Sequence, residues 1–341
     1  MKRLLQVLCV GLVAFLSAVT PAVAGSGAGA IVLVFPVGAR YNALGEAGLA
    51  LAQDATAAWY SPGGMAFMVD RYPVVNDVQL MYSKLAAGLA DDIALTWAGY
   101  AGPLGGGIFG LSFTYLDMGE QQATDEEGTV TGTFSSYEFV IQGNYAFKLS
   151  PNVGFGFGVK YFRDKLAPDD VLKDRTGGSG DSFGFDAGVL WKIPAAQLNL
   201  AAAVHNVGPR IKHVDADQAD PMPRKFTVGF AKNLHQGEFM GALLVGDYQL
   251  PLYKWKRDDY VFGLENAQGE WGVGIEGSYD RSLYLRFGYK SADYGDINDF
   301  TFGFGVDLLK WTERAIIFDF AAVPQAEGLD RVSRFTVGYR W

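Results

Sequence analysis

Large apolar residues alternate with small or polar residues in many short segments of this chain. At its end, the apolar positions are Phe335, Val337, Tyr339 and Trp341, and the positions between them are Arg334, Thr336, Gly338 and Arg340. Because successive side chains of a β-strand point to opposite faces, this period of two predicts a strand with one apolar and one charged face. Such a strand, ending on an aromatic residue, is typical of the closing strand of an outer-membrane barrel. We expect its barrel-assembly signal to be Phe335, Tyr339 and Trp341.

The same alternation recurs in about fourteen segments. Clear examples are residues 154–161, where aromatic residues and valine alternate with glycine and lysine, and residues 300–308. Segments of this kind predict an all-β fold, a membrane-spanning antiparallel up-and-down β-barrel of about 14 strands. A soluble β-sandwich also has alternating strands, so the connections have to separate the two folds.

The connections between these segments alternate between short and long. The short ones are 102–105, 149–152, 193–196, 233–237, 280–282 and 310–313. The long ones are 118–133, 163–181, 208–221, 251–269, 292–298 and 324–331. Bacterial outer-membrane barrels have tight periplasmic turns and longer outside loops, so this parity favours a barrel and places both of its chain ends in the periplasm.

The beginning of the chain has the pattern of an export signal. Lys2 and Arg3 precede an apolar run, and Ala22-Val23-Ala24 has the small-x-small form of a cleavage site. We predict a cleaved signal peptide over 1–24, a periplasmic or plug segment over 25–72 and the barrel over 73–341. A retained membrane anchor is the alternative for the apolar run. Cys9, the only cysteine, lies in that run, so the mature chain is expected to have no disulfide.

Composition narrows the class of protein further. The chain is 49% hydrophobic, yet it has no second apolar run of about 18 residues that would span a membrane as a helix. Its apolar residues are therefore spread over strands. The formal net charge of -9 repels nucleic acid, and no basic stripe is present to bind it.

Several charged residues fall on the predicted inner face of the strands. They are Glu138, Lys160, Asp186, Glu276, Arg286, Lys290, Asp307, Asp319, Arg334 and Arg340. Because both signs occur in similar number, we expect an internal network of ion pairs more than an ion-selective ring. If the turn between two strands is centred on Arg281, Glu276 and Arg286 stand opposite each other on the lumenal face, and an ion pair is expected there.

Glycines on the inner face indicate that something lies close to the wall. Glycine in a strand interior costs about 0.5–1 kcal/mol relative to alanine, so inward runs such as Gly154, Gly156 and Gly158 need a compensating reason. A plug formed by residues 38–66 provides one. We expect it to place Trp59 and Tyr60 against the wall. A turn should then lead into the first strand through Ser61, Pro62, Gly63 and Gly64.

Two stretches of the chain resemble a known family. Residues 38–66 begin Gly-Ala-Arg and end in a Ser-Pro-Gly-Gly turn. Residues 205–212, followed by the proline-rich stretch 219–223 and the strand 225–231, match an Asn-x-Gly-x-x-Ile turn and a Pro-to-Gly strand. Both are similar to the PorV/PorQ family, relatives of the FadL-type transporters. The chain departs from the family pattern at Glu46, Ser61 and Gly63, where Gly, Asn and Ala are usual.

Candidate chemistry in the chain is sparse. The histidines His205, His213 and His235 have no nearby serine or aspartate at a spacing that indicates a nucleophile and base. Asp215, Asp217 and Asp220 lie close together and have the ligand type of a Ca²⁺ site, but they lack the glycine and terminal glutamate of a calcium loop, so a solvated acidic loop is favoured. We expect a protein that is not an enzyme and has no cofactor.

The resemblance implies one of two functions in the outer membrane of a Gram-negative-type bacterium. PorV-type barrels are noncatalytic components of type IX secretion that bind the translocon and the C-terminal domain of cargo. FadL-like barrels take up a hydrophobic ligand through a lateral gap that an N-terminal plug controls. The secretion role is preferred here, because most of the mature chain forms strands, whereas FadL-type relatives usually have larger plugs and loops. The long loops 118–133, 163–181 and 251–269 would then carry partner contacts, with Tyr253 and Trp255 as aromatic anchors, although an interfacial belt is an alternative role for these two residues.

Overall fold

The computed structural model describes residues 29–71, 76–86, 88, 90–125, 127–167, 178–213, 219–252, 269–292, 296–312, 315–326 and 329–341. Within these ranges, no helix is both long and apolar enough to cross a membrane.

Fourteen strands form one closed antiparallel barrel. They are β1 Asp77–Lys84, β2 Ile93–Leu104, β3 Gly107–Thr124, β4 Val130–Ser150, β5 Val153–Lys165, β6 Ser179–Ile193, β7 Leu198–Val207, β8 Lys225–Gln236, β9 Met240–Pro251, β10 Glu270–Tyr279, β11 Leu283–Ala292, β12 Ile297–Asp307, β13 Ala315–Val323 and β14 Val332–Arg340. Each strand pairs with its neighbours along the chain, and β1 pairs with β14 to close the wall. The predicted fourteen-stranded barrel is confirmed.

The remaining elements of the described residues are short helices. Three of them, α1 Ala39–Asn42, α2 Ala57–Tyr60 and α3 Pro62–Met65, precede the barrel, together with 3₁₀ turns at Ile31–Leu33 and Met68–Arg71. A 3₁₀ turn at Pro194–Ala196 connects β6 to β7, and α4, Leu309–Thr312, connects β12 to β13.

Connection lengths differ between the two ends of the barrel, as the sequence predicts. The turns after β2, β4, β6, β8 and β10 are tight and, with the connection through α4 after β12, lie at one end, called the turn end below. Most connections at the other end, the loop end, are longer. Asp280 and Arg281 both have positive φ values, 52° and 54°, at the turn between β10 and β11. Two such residues match the right-handed twist of a hairpin and fix its register.

The outer face of the wall is apolar. Phe157, Phe302, Phe304, Leu285 and Phe287 are exposed, the last two at 67% and 62%, as expected for side chains that point to lipid. Phe155 is half-buried and faces outward with them, because the glycines on either side of it contact the inside of the barrel. The alternation in the sequence predicts that Phe155, Phe157, Phe302, Phe304, Leu285 and Phe287 face lipid. This prediction is confirmed, and these side chains do not lie in a shared sandwich core.

A charge at mid-height on this face should be strongly destabilising. Phe287 pairs with Ile275 on β10 and Phe302 on β12, in the middle of an apolar strip. We expect Phe287→Arg to lower the free energy of unfolding by about 2–4 kcal/mol. The matched variant Leu283→Arg, at the turn end of the same strand, should lose only about 0–1 kcal/mol because its charge reaches the interface. Denaturant titration of the barrel in phospholipid vesicles measures the free energy of unfolding of both variants. Equal decreases in the two variants would contradict a lipid-facing Phe287.

Candidate functional site: the plugged lumen

Residues 29–71, called the plug below, run through the inside of the barrel from one end to the other. At the loop end, the Gly29 amide donates a hydrogen bond to the carbonyl of Pro221, 3.0 Å away. At the turn end, the Asp70 carboxylate pairs with the ammonium of Lys148 at 2.5 Å. The predicted plug segment therefore lies inside the barrel, and it extends further toward the loop end than residues 38–66.

One patch of wall glycines receives the turn of the plug at Leu44 and Gly45. A Cβ atom built on Gly272 would lie 1.9 Å from the Gly45 carbonyl oxygen, and one on Gly288 would lie 2.1 Å from the Gly45 nitrogen. A Cβ on Gly274 would come within 2.6 Å of Leu44 Cα. Backbone can approach backbone this closely only where no side chain intervenes, so these glycines are a docking patch on β10 and β11.

A second glycine patch receives the start of α3. Cβ atoms on Gly154 and Gly156 of β5 would lie 2.4 Å from the backbone of Gly63 and Pro62, respectively. Gly188 of β6 faces the same segment. The inference that inward glycines leave room for a plug is thus confirmed on both sides of the lumen.

The Ser-Pro-Gly-Gly segment, which was expected to be a turn, instead begins helix α3. Ser61 is extended and precedes Pro62, whose ring suits the first helical position of α3. Gly64 lies so close to the carbonyl oxygen of Ala52 that a Cβ would approach to 2.1 Å. Ser61 to Gly64 therefore pack the plug against the wall, and the second 3₁₀ turn, Met68–Arg71, separates them from β1.

Trp59 and Tyr60 have different surroundings. The indole of Trp59 lies 4.3 Å from the ammonium of Lys225 on β8, so it contacts the wall as predicted. Tyr60 packs within the plug instead, with its ring 4.9 Å from that of Tyr41 and its hydroxyl donating to the carbonyl of Val37 at 3.0 Å. Burial raises the pKa of Tyr60 well above its usual range, so it stays a neutral donor.

An ion-pair chain joins the plug to the wall toward the turn end. Glu276 lies opposite Arg286 in the β10–β11 register, and the Arg286 Nε–Glu276 Oε2 distance is 2.7 Å, as predicted. Arg286 also binds Asp319 of β13 at 2.6 Å, and Arg40 of the plug binds Glu276 at 2.7 Å. Burial opposes the charge of Arg40, but the Glu276 carboxylate outweighs it and raises the pKa of Arg40 well above its usual value.

The other predicted lumenal charges also face inward. Lys160 binds Asp186 at 2.8 Å in a buried pair, and Glu138 accepts a hydrogen bond from the Val32 amide of the plug at 2.7 Å. Arg340 lies 3.4 Å from Asp54 of the plug and 3.5 Å from Asp77. Asp307 lies at the turn end, where it accepts a hydrogen bond from the Leu309 amide. Glu138 and Arg340 thus tie the plug to the wall, whereas Lys160 and Asp186 pair within the wall.

Several important residues of the lumen were not predicted from the sequence. Asp247 on β9 accepts hydrogen bonds from the Gly48 and Leu49 amides of the plug at 2.8 and 2.9 Å. Lys225 begins β8, and Glu46 of the plug binds Lys290 at 2.5 Å. The departure of Glu46 from the family pattern was a usable signal. Asp247 had no comparable signal, because a single inward aspartate looks like any other wall residue.

A cavity of about 190 Å³ lies between the plug and the loop end of the barrel. Apolar groups from both parts line it, among them Leu33, Phe35, Trp59, Pro251 and Ala292. Its charged lining residues are Glu46, Lys225, Glu270, Lys290 and Arg334. The cavity is large enough for a small organic group and combines an apolar wall with a few charges, which is the usual make-up of a ligand site.

The three histidines and Asp220, which the structure describes, are not brought together as a catalytic or metal site. His205 lies 3.7 Å from Asp186, and His213 binds Asp164 at 2.7 Å. Asp220 forms an isolated bridge with Ile211. In the described parts of the chain, no three His, Cys, Asp or Glu side chains are placed to hold a metal ion. Asp215, Asp217, Tyr253 and Trp255 lie outside the described residues.

Comparison with known proteins identifies the family. A family model described as "Type IX secretion system protein PorV" matches residues 23–238. The chain belongs to the PorV family. A search of curated proteins gives no match.

Solved structures with the same fold are FadL-like outer-membrane barrels. The Pseudomonas putida toluene transporter TodX matches with a TM-score of 0.54 and 14% identity over 94% of this chain and 98% of its own. The Ralstonia pickettii toluene transporter TbuX has a TM-score of 0.55 and 10% identity, over 89% and 97% of the two chains. A Pseudomonas aeruginosa FadL homologue matches with a TM-score of 0.51 and 13% identity, over 89% of this chain and 99% of its own. At these identities the likeness shows the fold, and this PorV-family barrel is an outer-membrane protein.

Proposed function

We propose that this PorV-family barrel is a noncatalytic component of type IX secretion that binds the translocon and the C-terminal domain of cargo at the cell surface. The family match carries the proposal, since it covers residues 23–238, which include the plug and the strands up to β8. The binding of the translocon and of the cargo C-terminal domain is included in this proposal.

The plugged lumen supports a binding role more than a conducting one. The plug is attached to the wall by two glycine patches and by ion pairs to Glu276, Lys290 and Lys148. A folded protein has no room to pass beside it. Contacts with protein partners would then fall on the loops at the loop end, which a rigid wall holds in place.

The loop between β9 and β10 is the first place to test partner binding. We expect a Tyr253→Ala, Trp255→Ala double variant to recover several-fold less cargo C-terminal domain than the wild type, because large aromatic side chains dominate most interfaces. The matched control is Trp311→Ala, which removes a tryptophan that is 57% exposed on α4 at the opposite end. Pull-down of the purified domain by each folded barrel measures the effect. Equal recovery by the double variant and the control would remove this loop from the interface.

Uptake of a hydrophobic small molecule is the second candidate function. The apolar lining of the loop-end cavity favours it, and two of the similar structures, TodX and TbuX, are toluene transporters. Uptake of a labelled aromatic hydrocarbon into proteoliposomes distinguishes the two functions. Uptake that depends on the barrel, together with no recovery of cargo domain, would replace the secretion role by transport.

A further inference from the structure

The plug lines the inside of the seam, where β1 pairs with β14 and the barrel closes. The buried hydroxyl of Thr336 on β14 accepts a hydrogen bond from the Ala39 amide of the plug at 2.9 Å. Arg334, also on β14 and 3% exposed, donates from Nη1 to the carbonyl of Pro36 at 2.9 Å and to the side-chain oxygen of Asn42. The first part of the plug is therefore bound to the last strand of the wall.

The plug also contacts β1, the other strand of the seam. The Ala55 amide of the plug donates a hydrogen bond to the carboxylate of Asp77, the first residue of β1, at 3.2 Å. Arg340 of β14 lies 3.5 Å from Asp77 and 3.4 Å from Asp54 of the plug, so one guanidinium joins all three elements. The plug thus bridges the two strands that have to meet before the wall can close.

Helix α1 shares a small apolar core with the last two strands. Ala39 and Ala43 of α1 pack with Ala321 and Val323 of β13 and with Val332 of β14, and all five side chains are at most 1% exposed. This cluster is separate from the main apolar core of the lumen. The helix and the β13–β14 hairpin therefore form one packing unit, whose apolar core requires no other strand of the wall.

The two strands of the seam are the first and the last of the barrel, so their pairing has to close a loop that contains all the other strands. The entropic penalty of closing a loop rises with its length. The plug ends at Arg71, and only residues 72–76 separate it from β1. A β13–β14 hairpin that is bound to α1 is therefore tethered to β1 by a much shorter segment, which raises the effective concentration of one strand near the other.

We propose that the plug has a second function as an internal template for barrel closure: α1 binds the β13–β14 hairpin first, and the plug then brings β14 against β1. The contacts of the Gly45 turn with β10, β11 and β12 form after the seam has closed. In the finished barrel the same segment fills the lumen. The proposal is independent of secretion and of uptake, because neither a protein partner nor a ligand takes part in it.

Two wall threonines provide a matched test of this order. Thr336 of β14 and Thr301 of β12 each accept one plug amide at 2.9 Å, from Ala39 and Gly45 respectively, and both are at most 1% exposed. Valine at either position leaves one buried N–H without a partner. Losing an interaction that forms before the transition state slows folding, whereas losing a later one speeds unfolding. We expect Thr336→Val to slow folding at least about fivefold, and Thr301→Val to speed unfolding by a similar factor.

Disulfide cross-links across the seam measure closure itself. Leu80 of β1 lies opposite Val337 of β14, and Phe287 of β11 lies opposite Phe302 of β12. All four side chains are exposed on the outer face, so cysteines at these positions leave the plug contacts intact. We expect Thr336→Val to delay the cross-link between β1 and β14 several-fold during folding and to leave the cross-link between β11 and β12 unchanged, because a local hairpin forms without the plug.

Folding is started by diluting the urea-unfolded chain into phospholipid vesicles and is followed by heat-modifiable migration in detergent gels. Every chain carries Cys9→Ser, so the introduced cysteines are its only thiols. If Thr336→Val gives little folded barrel, the cross-links still report closure, and Thr336→Ser, which keeps the hydroxyl, should restore wild-type rates. Wild-type folding of Thr336→Val, slower folding of both threonine variants alike, or equal delays of the two cross-links would each overturn the template. A failed cargo pull-down would not, because that experiment tests only the secretion role.

Discussion

A Gly272→Ala, Gly288→Ala double variant is expected to release the plug turn from the wall and raise the permeability of the barrel to small sugars several-fold. The added methyl groups would lie about 2 Å from the backbone of Gly45, far inside van der Waals contact. Backbone atoms have no rotamer by which to move away, so the turn itself must shift, at a penalty of about 1–3 kcal/mol or more. Swelling of liposomes that contain the purified variant measures the opening.

The control for this experiment lies on the same wall. A Cβ on Gly143 or Gly277 would meet nothing within 4 Å, and both residues lie in strands. A Gly143→Ala, Gly277→Ala double variant should therefore keep wild-type permeability. If the first variant folds and stays as impermeable as this control, Gly45 does not close the path beside β10 and β11.

Arg286→Met is expected to lower the free energy of unfolding by about 3–5 kcal/mol, because it leaves the Asp319 carboxylate without its cation and removes one of the two cations that bind Glu276. Arg286 is 2% exposed and binds Glu276 and Asp319 at 2.7 and 2.6 Å. Removing the charge of Asp319 as well, in Arg286→Met, Asp319→Asn, should recover part of the loss. Denaturant titration in vesicles measures all three barrels.

An exposed ion pair provides the comparison for Arg286. Lys310 and Asp280 pair at the turn end, where the lysine side chain is 48% exposed. Lys310→Met should change stability by less than about 1 kcal/mol, since water solvates both charges. Similar losses for Arg286→Met and Lys310→Met would mean that the lumen around Arg286 is as well hydrated as the surface.

Side-chain contacts in the candidate site could be predicted between two adjacent strands, but not between the plug and the wall. The Glu276–Arg286 pair followed from the centre of one hairpin, because register in an antiparallel pair is set by the turn. The inward glycines correctly indicated a close neighbour. The same reasoning placed Tyr60 against the wall, whereas it packs on Tyr41, because the path of an irregular segment has no period that fixes side-chain direction.

The sequence by itself determined the barrel, its strand number, its lipid-facing side chains and the end at which the short turns lie. These features are local: a period of two and the spacing of turns are properties of neighbouring residues. The tertiary structure alone decided which residues of the plug meet which residues of the wall. Glu46, Lys290, Lys225 and Arg334 are separated by up to 288 positions along the chain, and they share a cavity only because the wall closes on itself and the plug runs through it. Contacts between residues so far apart in the chain cannot be predicted from the local sequence pattern.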